Sequence, residues 1–124
     1  MAVPILKQGP FLIASIQSAL TDTDVLQLRD DVMAQVTRHR SRGIIVDVTS
    51  LDVMDSFVSR SLRAIAMMTR LRGAETVIVG IQPEVAFAMV QLGMDTGSVS
   101  TALDLEEGLA FLHAGAPSPA VRRP

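Results

Sequence analysis

The chain has no cysteine, tryptophan or tyrosine, and its one lysine is Lys7. Without cysteine it can form no disulfide, no thiolate zinc site and no thiol nucleophile; that composition suits the cytosol. A Walker phosphate-binding loop needs a lysine directly after its glycines, and Lys7 is in no such place. Aromatic residues make up only 3% of the chain, and eleven basic side chains face thirteen acidic ones for a formal charge of −2. Nucleic-acid binding uses clustered basic charge and aromatic platforms, so no nucleic-acid partner is expected. No apolar run approaches the roughly 20 residues that cross a bilayer; Glu75, Gln82, Pro83 and Glu84 interrupt the longest ones. The start, Met1-Ala-Val-Pro-Ile-Leu-Lys7, lacks the charged leader and apolar block of a signal peptide. The expectation is a soluble cytoplasmic domain with no membrane partner.

At 124 residues, 48% of them apolar, the chain reads as one domain with an aliphatic core. Its positive mean hydropathy predicts some apolar surface buried between subunits, hence a homo- or hetero-oligomer. Val3 to Lys7 and Phe11 to Ile16 flank the turn Gln8-Gly9-Pro10 and read as a hairpin or adjacent strands. Thr21 to Asp24 offer an N-cap and first-turn acids, and Val25, Leu28, Val32 and Val36 follow at helical spacing. Cations from His39 to Arg42, then Gly43 as the stop, close that helix.

Ile44 to Val48 is a buried strand. A polar crossover from Asp47 to Asp55 then delivers Ser56 to the first turn of a helix. Along that helix Val58, Leu62, Ile65 and Met68 form one face, with Arg60, Arg63 and Arg70 opposite and Gly73 as its end. Met67 and Met68 read as core or interface packing. Thr76 to Ile81 is the next buried strand. Pro83 opens a helix through Val85, Met89 and Val90 to Gly93. Ser98 to Ala102 reads as a short last strand, and Asp104 to Glu107 as a capping box leading into Leu105, Leu109 and Leu112. The alternation predicts an α/β fold: a single mixed, mostly parallel sheet with helices packed against it. Residues 1–113 are expected to form the domain, and the proline-rich remainder, 114–124, a disordered tail.

Chemistry for catalysis is sparse. His39 and His113 lie near helix ends and bring no partner at ligand spacing. Asp47, Asp52 and Asp55 could be imagined as a metal or acid–base cluster, but turn and capping roles suit Asp52 and Asp55 better, Asp47 sits inside the buried strand run, and no histidine is nearby to activate a nucleophile. Gly93-Met-Asp-Thr-Gly97 lacks the dinucleotide spacing. No enzyme activity, metal or cofactor is expected. Ser56 stands out instead. A phosphate there would add about −1.5 to −2 charge at a helix start. Serine is also a preferred N-cap, the plain alternative, and Ser59 is the competing hydroxyl.

The segment Val-Asp-Val-Thr-Ser-Leu-Asp-Val-Met-Asp-Ser (46–56), with Val-Gly-Ile-Gln-Pro-Glu-Val-Ala (79–86) and Leu-Gly-Met-Asp (92–95), resembles STAS domains of the anti-sigma-factor-antagonist family. Sporulation-type members tend to read Asp-Ser-Ser-Gly at the turn, whereas Asp55-Ser56-Phe57-Val58 looks more like stressosome S-type (RsbS-like) antagonists. R-type (RsbR-like) co-antagonists carry an N-terminal sensory domain, which is not expected here, and often a second phosphorylatable threonine, where this chain has Ala88. The resemblance implies assembly with R-type STAS paralogues into a stressosome that holds an RsbT-like serine switch kinase of the GHKL type. Phosphorylation of Ser56 would release that kinase for partner switching, and a dedicated phosphatase would reset it. Asp55, Phe57, Ser59, Arg60 and Arg63 are then the expected docking or switch-region residues. Two other readings compete. An aspartate-phosphorylated receiver needs acids at the end of the first strand and a late lysine, both missing. A small-ligand α/β domain lacks a glycine-rich loop.

Overall fold

The computed structural model describes residues 3–92 and 99–115. Its elements follow the expected order: β1 (Ile5–Gln8), β2 (Phe11–Ser15), α1 (Asp22–His39), β3 (Gly43–Asp47), α2 (Ser56–Leu71), β4 (Glu75–Val79), α3 (Pro83–Gln91), β5 (Ser100–Ala102) and α4 (Leu105–His113). The five strands lie in sequence order in one sheet. β1 pairs antiparallel with β2, and every other neighbour is parallel.

Parallel neighbours need crossovers, and crossovers of one hand place their helices on one face. Val25, Leu28 and Val32 of α1, Val58, Leu62 and Ile65 of α2, and Val85 and Met89 of α3 accordingly share one core with Leu12, Ile44, Val46 and Ile78. The opposite face is covered by α4, where Leu112 packs with Phe11, Ile13, Ile45, Val77 and Val79. β3 is thus buried on both sides, which is why its sequence is a continuous apolar run rather than an alternation.

Several helix details differ from the sequence reading. Thr21 caps α1 in a full box: its Oγ1 accepts from Asp24 N–H, and Asp24 accepts from Thr21 N–H, both at 3.1 Å. The helix stops at Arg40, not Gly43. Arg40 takes the left-handed conformation, φ +49°, and Ser41 N–H closes back on Val36 C=O at 3.3 Å. Gly43 instead opens β3, where a Cβ would meet Leu112 Cδ2 at 2.8 Å. In α2 the buried stripe continues from Ile65 through Ala66 to Thr69, not to Met68, which is half-buried, while Met67 is exposed. A 3.6-residue period carries 58, 62 and 65 on to 69; there Thr69 Oγ1 meets Thr76 Oγ1 of β4 at 2.7 Å.

Gly73, φ +85°, follows α2 as expected. In α3, Val85 and Met89 are buried and Val90 is 77% exposed. The expected stop at Gly93, the Gly93–Gly97 segment and the strand's start at Ser98 lie outside the described residues. Asp104 caps α4 by accepting from Glu107 N–H at 2.9 Å, but Glu107 reaches back to Leu103 N–H, at 2.7 Å, one residue beyond the usual box. Beyond Gly115 the expected tail is also outside the described residues. Among those described, no helix is long and apolar enough to cross a membrane.

Candidate switch site at the start of α2

The segment joining β3 to α2 is held by polar bonds at its start and by apolar pegs further on. Asp47 ends β3 half-buried, and its Oδ1 accepts from Thr49 N–H at 2.9 Å and Thr49 Oγ1 at 2.6 Å. Gln82 Nε2 crosses from the β4–α3 turn to donate to Thr49 C=O. Gln82 is the N-cap of α3, yet its side chain makes no cap bond to that helix. Leu51 and Met54 then sink into the core, while Asp52 and Val53 between them stay exposed.

Asp55 is the N-cap of α2. Its Oδ1 accepts from Val58 N–H at 2.8 Å, satisfying one of the helix's orphan donors. Asp55 therefore has the capping role expected of it, whereas Asp47, expected inside the buried strand, ends β3 and holds the turn at Thr49, and Asp52 is exposed. Among the described residues, no group of three His, Cys, Asp or Glu side chains could hold a metal ion.

Ser56, the first helical residue, is exposed. Phe57 is half-buried and packs on the core. Ser59 is only 3% exposed, so it lies beneath the surface that Asp55, Ser56, Arg60 and Arg63 present to solvent. Such burial suits packing and removes Ser59 from direct contact with any docking protein. No acid occurs between Ser56 and Leu71, and neither Arg60 nor Arg63 forms an ion pair among the described residues. An exposed serine thus directly follows the capping Asp55 on a helix that also exposes Arg60 and Arg63.

Sequence reasoning did not single out Gly80 and Gln82, which hold the loop from the side. Both fall inside the Val79 to Ala86 segment that carried the family resemblance, and that segment was the available signal.

The STAS domain family matches residues 2–108. In structure the chain is similar to Moorella thermoacetica RsbS, in a form with a serine exchanged for glutamate, at TM-score 0.81 and 33% identity, covering 92% of this chain and 97% of that one. It is also similar, at TM-score 0.77 and 32% identity, to a chain in the molecular architecture of the stressosome, a signal integration and transduction hub, covering 93% and 100% of the two chains. In sequence it is 31% identical over 83 residues to the RsbT co-antagonist protein RsbRA of Bacillus subtilis (strain 168), covering 67% of this chain. The chain spans about 30% of the length of that relative. A family match over most of the chain and a sheet-and-helix order shared with these neighbours lead to one conclusion: the chain belongs to the STAS domain family and is similar within it to RsbS of Moorella thermoacetica.

Proposed function

We propose that this chain is a non-enzymatic scaffold and phospho-switch subunit of a cytoplasmic stressosome. Unmodified, it holds a GHKL-type serine kinase like RsbT; phosphorylated on Ser56, it lets that kinase go. R-type co-antagonist paralogues are its assembly partners, and a phosphatase resets the serine. Residues 1–113 form the unit that assembles.

One observation carries the reading: at the start of α2 the hydroxyl of Ser56 is open to solvent, whereas that of Ser59, three residues on, is buried. A kinase can reach one and not the other. The similarity to RsbS over nearly that whole chain supports the assembly role, and the half-buried Ala88, where R-type relatives are expected to carry a threonine, favours a single phosphorylation site.

Mechanistically, the phosphate need not refold the domain. It adds a dianion beside the Asp55 carboxylate on a surface whose docking value comes from Phe57 and the unpaired Arg60 and Arg63. A docked kinase would then face like-charge repulsion and the cost of desolvating that dianion. Incubation with an RsbT-type kinase and ATP, followed by mass mapping, tests the reading. Phosphate on Ser56 alone is the expected result; phosphate on other residues with Ser56 unmodified refutes it.

A further inference from the structure

The end of the molecule away from Ser56 holds a basic groove. Ser56 opens α2 and Arg72 caps its far end, 16 residues or about 24 Å along the axis. There a groove of about 480 Å³ is lined by Arg40, Arg42 and Arg72, with Ser41, Val36 and Gly73 among them. Among the described residues, no carboxylate lines it. The nearby acid, Glu75, borders the adjoining groove, where it is paired with Arg70 at 3.8 Å and accepts from Ser100 Oγ at 3.0 Å. The guanidinium groups of Arg40, Arg42 and Arg72 have no hydrogen bond or ion pair among the described residues.

Cations at the C-terminal ends of α1 and α2 would ordinarily be explained as partners of the helix dipoles. Two observations exceed that explanation. Arg40 is the only non-glycine residue with positive φ among those described, at a helix end where glycine is the usual and cheaper choice. An arginine in this left-handed conformation carries strain that glycine would not. Ser41, 5% exposed, lines the groove with a hydroxyl that has no hydrogen-bond partner among the described residues; buried polar groups are almost always satisfied.

We infer that this groove binds a small phosphate-bearing anion, with Arg40, Arg42 and Arg72 as its charge partners and the Ser41 hydroxyl as a donor at its wall. Guanidinium forks match phosphate oxygens in geometry as well as charge. Among the described residues no aromatic side chain lines the groove, so recognition rests on the phosphates and not on base stacking. The site does not depend on the Ser56 reading and stands or falls separately.

Calorimetric titration of the full chain with inorganic pyrophosphate in about 0.15 M salt, where loose surface attraction is screened, is the test. One saturable site is expected. Arg72→Gln should weaken it about tenfold or more, as loss of a charge-assisted bond does, and Ser41→Ala several-fold. Arg40→Gly separates binding from folding: relief of the left-handed strain should raise the Tm while affinity falls. The inference is overturned by absence of saturable binding, or by affinities that Arg40→Gly and Arg72→Gln leave unchanged.

Discussion

Thr49 Oγ1 occupies the place where a side chain on Gly80 would begin: a Cβ there would lie 2.0 Å from it, and 3.1 Å from the Thr49 Cα. Gly80 also has φ +77°, so the residue just after β4 and the loop leading to Ser56 touch only because this residue has no side chain. Gly80→Ala is expected to cost about 2–4 kcal/mol, combining left-handed strain with overpacking. Urea unfolding measures it. Adding Thr49→Ala removes the closest contact and should restore about 1 kcal/mol, since Thr49 Cβ and Cα still crowd the site.

The buried hydroxyl pair between α2 and β4 gives a second expectation. Thr76 has Thr69 as its only hydroxyl partner among the described residues, whereas Thr69 also donates to Ala66 C=O at 3.0 Å. Thr69→Val strands the Thr76 hydroxyl and should cost about 1–3 kcal/mol. The double change to valine should be close to neutral, because both polar groups leave together. A double-mutant cycle in urea reads the coupling; additive costs would contradict it.

Asp55 caps α2 through one bond to Val58 N–H. Asp55→Ala should lose about 1 kcal/mol, while Asp55→Asn, an equally good cap, should lose little. Thermal unfolding distinguishes them. If Asp55→Asn keeps the fold and is phosphorylated on Ser56 as well as the wild type, the carboxylate serves as a cap and not as a charge for the kinase.

Arg60 and Arg63 lie exposed on α2 without ion pairs among the described residues. Arg60→Glu with Arg63→Glu should leave stability within about 0.5 kcal/mol and lower capture of an RsbT-type kinase about tenfold, with a weaker salt dependence. Ser56→Glu should release the kinase as well; surface-binding kinetics at two salt concentrations check both. Unchanged capture by the arginine variant would place the docking surface elsewhere.

Local signals were strong enough to be read before any coordinates. The apolar run from Ile44 to Val48, the cap residues Thr21, Asp55 and Asp104, and Pro83 at a helix start each carry their physics within a few residues. The stop of α1 was misplaced because an arginine took a backbone conformation that sequence assigns to glycine; Gly43 was needed for something else, close passage under Leu112. Met68 was misjudged because one helical period fits several faces until a neighbouring element selects one.

Sequence alone determined the strand–helix alternation, the position of Ser56 behind its capping aspartate and the lack of cysteine or lysine chemistry, since all of these depend on neighbours along the chain. Tertiary structure decided that Ser56 is open and Ser59 closed, that Gln82 and Gly80 brace a loop some thirty residues away, and that Arg40, Arg42 and Arg72 meet around Ser41. The reason is the parallel sheet itself: crossovers of one hand bring the starts of successive helices to one end of the molecule and their ends to the other, a proximity that linear spacing does not express.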